Sequence, residues 1–277
     1  MKTKIIVSSI LIFFIAIIAI LFGAVFRLRK QSVKVVGNEI LSVSAEEIIS
    51  KAELKNGTSI FFLDKDKAID KIETSIPDIK VIQIKTTSVT EVEIVVRARI
   101  ETYYTKIDNI YYVMDEELKV LKITSEPSET ENLIRIYNSI NAQADKPFLT
   151  IKEQTAVADF VGGEYKNAFY NLYTSIYKTA TKLVEGEKQY LIRQEVIDLI
   201  ESVTLGTANT LKEEYVRLIV KTSTGVVFDI AKPNEKLEEK VNMCISAYES
   251  GEYDTTKGVI KLFYNAEGKQ DFDYFAQ

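Results

Sequence analysis

The chain carries one long apolar stretch near its amino end. Residues 5–26 contain 22 positions without a charged side chain. At 1.5 Å per residue, a helix of this length crosses a hydrocarbon core of ~30 Å. A cleaved signal peptide has an apolar region of only ~7–15 residues, and the charged residues Arg27 and Arg29 follow here where cleavage would be expected. We therefore predict a tail at residues 1–4 and an uncleaved transmembrane helix at residues 5–26.

Helical and strand periods alternate over residues 31–100. The apolar residues at 33–36 predict a short strand. Ser44 and Glu47 form a capping-box pattern for a first helix, and Gly57 lies where a helix-terminating turn is expected. Asp64 is a candidate N-cap for a second helix. Two helices between short strands indicate an α+β unit.

Two strands complete this unit. In the second of these strands Val92, Ile94 and Val96 alternate with charged residues, which predicts one buried face and one solvent-exposed face. The resulting order is β-α-α-β-β, with both helices covering one face of a three-stranded sheet.

Residues 101–277 predict a mixed β-sheet domain with flanking helices. Three strands joined by Asp-containing turns are expected over residues 101–123. Apolar residues at helical spacing predict a helix from Lys166, whose aromatic stripe is typical of a core face. Further strands are expected near residues 196–202, 214–222 and 225–231, followed by a helix that ends near Gly251 and a late strand at 257–265.

Charge and composition exclude several classes of function. The net charge is −5, but the first thirty residues hold five bases and no acid, so the remainder holds 30 bases against 40 acids. An acidic surface disfavours nucleic acid. The chain contains no histidine, which excludes Ser-His-Asp and Cys-His catalysis and every His-ligated metal site. Its one cysteine, Cys244, lies at helical spacing and is expected in the core.

Two sequence patterns could indicate catalysis, but each has a simpler, non-catalytic explanation. Ser175 and Lys178 match Ser-x-x-Lys, the nucleophile motif of penicillin-binding enzymes, but the companion Lys-Thr-Gly motif is missing, so the set is incomplete. Adjacent acids such as Glu116 and Glu117 lie in turns or at helix starts, where a solvated face is the expected role. We expect no catalytic residue, no metal and no cofactor.

The order strand–Gly-Asn–Ser-x-x-Glu-Ile–Gly-x-Ser-Ile-Phe-x-Leu-Asp–helix–Ile-Pro-x-Ile–strand resembles the FtsQ/DivIB family of bacterial cell-division proteins. The resemblance implies a cytoplasmic tail, one transmembrane helix, a POTRA domain at residues 31–100 and a β-rich domain with helices at 101–277, both outside the cell. Charge alone leaves this orientation open, because Lys2, Lys4 and the amino terminus on one side balance Arg27, Arg29 and Lys30 on the other.

The resemblance also implies partners and a contact. In that family a late strand of the β domain takes up a segment of a small coiled-coil division protein through main-chain hydrogen bonds. The implied partners are FtsB/DivIC-like and FtsL-like coiled-coil proteins and the septal peptidoglycan synthesis machinery. A plain core strand is the alternative for the same segment. Tyr264 and the tail aromatics Phe272, Tyr274 and Phe275 are candidate exposed anchors, and the POTRA edge strand Val33–Val36 is a weaker candidate for a partner contact. By position, the implied contact residues are Gly258, Val259, Ile260, Lys261, Leu262, Phe263 and Tyr264.

Three functions therefore remain for this sequence. The first is a non-catalytic scaffold of the divisome, anchored in the cell membrane with a single span and enriched at the septum. The second is a POTRA-containing binding protein for protein export or surface assembly. The third is an anchored wall enzyme, which the absence of histidine and of a completed motif disfavours.

Overall fold

The computed structural model of the chain describes residues 12–18, 20, 25–37, 41–138, 140–141, 146–151, 155–180, 199–209, 214–264 and 270–276. The chain divides into two compact units, Met1–Arg99 and Ile100–Gln277.

The predicted transmembrane helix at residues 5–26 lies largely outside the described residues. Residues 12–18 are helical, and large side chains such as Phe13 and Phe14 are more than half exposed there. Within the described ranges, no helix is long and apolar enough to span a membrane. The single span stays a prediction.

The first unit has the predicted β-α-α-β-β order. A short 3-10 helix, Ile60–Phe62, precedes its second α-helix. The other elements are β1 (Lys30–Val35), α1 (Ala45–Ala52), α2 (Lys65–Ser75), β2 (Ile79–Ser88) and β3 (Glu91–Ala98). Among the described residues these strands form a three-stranded sheet in the order β1-β3-β2, with β1 parallel and β2 antiparallel to the central β3.

Helix caps and face alternation explain this arrangement. The Ser44 hydroxyl accepts the N–H of Glu47 at 3.2 Å, and the Asp64 carboxylate accepts the N–H of Lys67 at 3.1 Å, so both predicted N-caps are confirmed. The predicted inner face is also confirmed, because the alternating apolar residues of β3 are fully buried against the apolar faces of α1 and α2. This core includes Ile48, Ile72, Val92, Ile94 and Val96, all at 0 % exposure.

In the part of the second unit that the structure describes, a mixed sheet is accompanied by two α-helices. Its helices are α3 (Lys166–Ala180) and α4 (Leu237–Glu249). Its strands are β4 (Tyr103–Ile107), β5 (Ile110–Met114), β6 (Val120–Thr124), β7 (Ile134–Tyr137), β8 (Ile140–Asn141), β9 (Lys146–Pro147), β10 (Ile200–Asn209), β11 (Glu214–Thr222), β12 (Val227–Ala231), β13 (Val259–Tyr264) and β14 (Gln270–Phe275). Among the described residues, nine of these strands form one sheet in the order β14-β13-β12-β11-β10-β7-β4-β5-β6.

Both helices pack on this sheet. Phe169, Leu172 and Ile176 of α3 are buried in the same core as the strands, which confirms the predicted core face. The Tyr103 hydroxyl donates to the carbonyl of Phe169 at 2.9 Å and so ties β4 to the helix, and burial raises the pKa of this phenol. Cys244 of α4 is fully buried as predicted, and burial raises the pKa of its thiol. Its position is that of a core residue, not of a reactive thiol.

Candidate partner-binding edge of the large sheet

Gly258 directly precedes β13 and has a conformation that suits only glycine. Its φ is +111°, in the left-handed region, and a Cβ at this position would lie 2.7 Å from the ring of Tyr274. Two constraints therefore require glycine at the start of the predicted contact segment. The close approach also brings β13 and β14 together at this point.

The predicted contact residues lie on two faces of β13. Ile260 and Leu262 are 1 % and 2 % exposed and belong to the core. Lys261 and Phe263 alternate with them and are half-buried on the opposite face. The side chain of Tyr264 lies outside the described set. A partner strand would therefore meet the main chain of this segment and its half-buried face, while the other side chains hold the core.

Both edges of β13 are already paired within the protein. β12 runs parallel to it, with Phe228 opposite Ile260, and β14 runs antiparallel, with Phe272 opposite Leu262. β13 is thus an interior strand of the sheet, and the outermost strand on this side is β14. The partner contact of Gly258–Tyr264 stays a prediction.

β14 is not among the strands predicted from the sequence, although three of its aromatic residues were expected as exposed anchors. The period-2 alternation from Gln270 to Phe275 is the signal that could have identified it. Phe272 and Phe275 are 36 % and 50 % exposed. The Tyr274 hydroxyl instead donates to the carbonyls of Lys257 (3.0 Å) and Asp254 (3.2 Å), which fastens β14 to the preceding loop.

Charged residues alternate across the outer strands on one face. Arg217 of β11 donates to the Asp229 carboxylate at 2.8 Å. Asp229 pairs in register with Lys261, and Lys261 pairs in register with Asp273. This row of alternating charges therefore ends on the exposed carboxylate of Asp273 in the outermost strand, β14. An added strand with a basic side chain would extend the alternation.

An apolar groove lies beside this edge. It has a volume of about 380 Å³ and is lined by α4, the following loop and β14, with Met243, Ala247, Tyr253 and Phe272 among its walls. The rings of Tyr253 and Phe272 meet edge to face at a centroid distance of 6.4 Å. An outermost strand of the described sheet, exposed aromatic rings and a neighbouring groove are features that suit strand addition.

Other clusters offer less for function. Ser175 is 3 % exposed on α3, and the side chain of Lys178 lies outside the described residues. A polar cavity of about 630 Å³ lies between α3 and the start of α4, beside Ser175 and Glu238. In the described part of the chain, no three His, Cys, Asp or Glu side chains are grouped as a metal ion would require.

Comparison with known proteins identifies the first unit. No protein of curated function matches the sequence. Residues 28–99 match the family model of the POTRA domain, FtsQ-type. This range begins two residues before β1 and ends one residue after β3. The chain therefore contains an FtsQ-type POTRA domain, and this match supports its assignment to the FtsQ/DivIB family of bacterial cell-division proteins.

Proposed function

We propose that this protein is a non-catalytic, membrane-anchored scaffold of the bacterial divisome that recruits and regulates septal peptidoglycan synthesis through protein–protein contacts. The FtsQ-type POTRA domain at residues 28–99 is the observation that carries the proposal. It favours a role in cell division over the alternative in export or surface assembly.

The proposal includes a membrane anchor at residues 5–26, with the tail at residues 1–4 in the cytoplasm. The uncharged stretch of 22 residues supports it, because its length fits a hydrocarbon core. The POTRA domain at residues 31–100 and the β-rich domain at 101–277 then lie outside the cell, as in the family. Anchoring raises the effective concentration of partners that are themselves held in the membrane.

The proposed contact is the hairpin β13–β14. A strand from an FtsB/DivIC-like coiled-coil protein adds to the outer edge of β14, and Gly258–Tyr264 form the strand that supports it. Because Asp271 and Asp273 are exposed on β14, a strand with basic residues fits this edge best. FtsL-like proteins and the synthesis machinery join through that partner.

The direct test is to image a fluorescent fusion at the amino terminus in growing cells of the source organism. The expected result is a band at midcell that narrows with constriction. A fusion that ends after Lys30 is the matched control, since it has the anchor without the POTRA domain and reports membrane shape alone. If the full chain labels the membrane as evenly as the control, the divisome role is rejected.

A substitution tests the non-catalytic part of the proposal. Ser175→Ala removes the hydroxyl of the Ser-x-x-Lys match and leaves the core face of α3 intact. Cells that carry this variant should divide normally. A division defect with the protein at its usual level would revive the enzyme alternative.

A further inference from the structure

The chain that leaves the apolar stretch is fixed to one loop of the POTRA domain. The N–H of Ile60 donates to the carbonyl of Phe26, that of Leu28 to Thr58 and that of Gly57 to Leu28, each at 2.8 Å. Leu28 is fully buried. These bonds hold residues 57–60 beside the last residue of the apolar run, so this loop lies where the chain enters the domain.

Two exposed aromatic residues follow this loop directly. Phe61 and Phe62 are 56 % and 77 % exposed, while Ile60 beside them is 6 % exposed and anchors the turn. The rings of Phe26 and Phe61 meet edge to face at a centroid distance of 5.2 Å. Adjacent exposed apolar side chains that form a continuous patch are typical of a surface that binds a protein, a ligand or a membrane. Their contact with Phe26 makes them continuous with the apolar run.

A second turn reaches the same end of the domain. The N–H groups of Arg29 and Lys30 both donate to the carbonyl of Thr90, at 2.8 and 3.2 Å. Thr90 lies in the turn between β2 and β3, next to Val89, which is 51 % exposed. The β2–β3 turn therefore presents its own apolar side chain beside the start of β1.

Basic residues accompany these apolar tips. Arg27, Arg29 and Lys30 are exposed and lie within four residues of Phe26. Exposed aromatic side chains flanked by Arg and Lys are typical of segments that lie in the interface of a bilayer with anionic lipids. This surface abuts the apolar run, so the lipid around the anchor is already adjacent to it. A partner protein would first have to reach the same surface.

We propose that this end of the POTRA domain, the interfacial tip formed by Phe61, Phe62 and Val89, inserts into the outer lipid interface next to the anchor. The Arg27 and Arg29 guanidinium groups then bind headgroup phosphates. The domain is held at a fixed height and tilt over the membrane. This inference rests on the proposed membrane anchor and adds a second, lipid-binding site to it.

The absence of tryptophan from the sequence provides the test. The full-length chain carrying Phe62→Trp is reconstituted in vesicles of equal parts phosphatidylcholine and phosphatidylglycerol, with and without bromine on the upper acyl chain. The expected result is a blue-shifted emission maximum and a loss of emission on the brominated lipid. Bromine near the bilayer centre should quench less, because interfacial side chains bury only ~5–10 Å into the headgroup boundary.

Two further single-tryptophan variants make the outcome specific. Val35→Trp is the matched control, since Val35 is also exposed (45 %) but lies at the other end of β1, about 17 Å from Lys30 at ~3.3 Å per residue. It should emit as in water. Phe14→Trp reports the anchor. Because residue 14 lies near the middle of the proposed span, bromine near the bilayer centre should quench it. Quenching at 14 without quenching at 62 overturns the interfacial tip alone, and no quenching at 14 by bromine at either depth overturns the anchor proposal. Equal emission at 62 and 35, or a blue shift at 62 that appears only when a partner protein is added, also rejects lipid as the occupant.

Discussion

The guanidinium of Arg99 and the carboxylate of Glu73 form an ion pair that closes the POTRA domain. Their Nη2 and Oε2 atoms lie 2.6 Å apart, with side-chain exposures of 1 % and 15 %. The Nε of Arg99 donates to the carbonyl of Ile79 at 3.1 Å, and the other Glu73 oxygen accepts the N–H of Val81 at 2.8 Å. The pair therefore joins α2, the start of β2 and the residue that follows β3.

Breaking this pair should destabilise the POTRA domain strongly. Glu73→Gln takes the Glu73 carboxylate away from the buried Arg99 guanidinium, and removing one member of a buried ion pair costs about 3–5 kcal/mol of unfolding free energy in comparable sites. The measurement is the hydrogen-exchange protection of the β2 and β3 amides in the full chain. The control is Lys85→Met, which removes the half-exposed pair between Lys85 and Glu93, worth about 0–1 kcal/mol. Equal loss of protection in both variants would contradict the structural role of Arg99.

Gly258→Ala should loosen β14 from β13. The substitution places a Cβ against the ring of Tyr274 and holds alanine at a φ of +111°. Gly251→Ala is the control, because it also places alanine at a positive φ (+73°), at a cost of the order of 1 kcal/mol, while no atom lies within 4 Å of the added Cβ. Proteolysis of the carboxyl-terminal strand should accelerate in Gly258→Ala well beyond the control. The two rates would coincide if the approach of Tyr274 were unimportant.

Removal of residues 265–277 should abolish recruitment of the coiled-coil partner. The deletion takes away β14 and with it the proposed docking edge. The measurement is co-purification of the FtsB/DivIC-like protein from the source organism. Stronger binding after the deletion would instead mean that the partner displaces β14 and pairs with β13. Asp271→Lys with Asp273→Lys keeps the strand and should weaken binding through charge alone.

Lys240 should make stability depend on pH in the alkaline range. Lys240 is 1 % exposed, and its ammonium group donates to the carbonyls of Ala231 (2.7 Å) and Lys232 (2.9 Å). Desolvation lowers its pKa to about 8. An unfolded lysine has a pKa of ~10.4, so between these values the unfolded state binds more protons and stability rises with pH.

The comparison with Lys240→Met isolates this contribution. The urea midpoint of the native chain, relative to that of the variant, should increase as the pH rises through about 8 towards ~10.4. The exposed Lys236→Met is the control and should show no such trend, since Lys236 is 66 % exposed. A difference between native chain and Lys240→Met that stays constant with pH would contradict the lowered pKa.

Local patterns in the sequence determined most elements of both units. The caps at Ser44 and Asp64, and the alternation of Val92, Ile94 and Val96, follow from interactions within a few residues, and each is present. The strands of residues 101–123 and the helix from Lys166 were predicted for the same reason. Where the secondary structure of a segment depends on residues close to it in the chain, the local sequence is sufficient to predict it.

The local sequence pattern predicted the wrong role for Gly57, that of a helix-terminating residue. Helix α1 ends earlier, at Ala52, with Glu53 in the left-handed conformation at φ 49°. Gly57 instead donates its N–H to Leu28, nearly thirty residues away. That bond is what positions the interfacial tip, and no pattern near Gly57 indicates it.

The tertiary structure alone decided which strands are neighbours. Nothing in β1 indicates that it pairs with β3 and leaves β2 at an edge. Likewise, β7 has only four residues, yet it lies between β4 and β10 because Ile134 and Ile136 fill the core there. The sequence by itself determined the POTRA order and the late strand. The tertiary structure decided that this late strand, β13, is not at the edge of the sheet, because β14 pairs with its outer side. Such pairing depends on contacts between strands and not on the local sequence of either one.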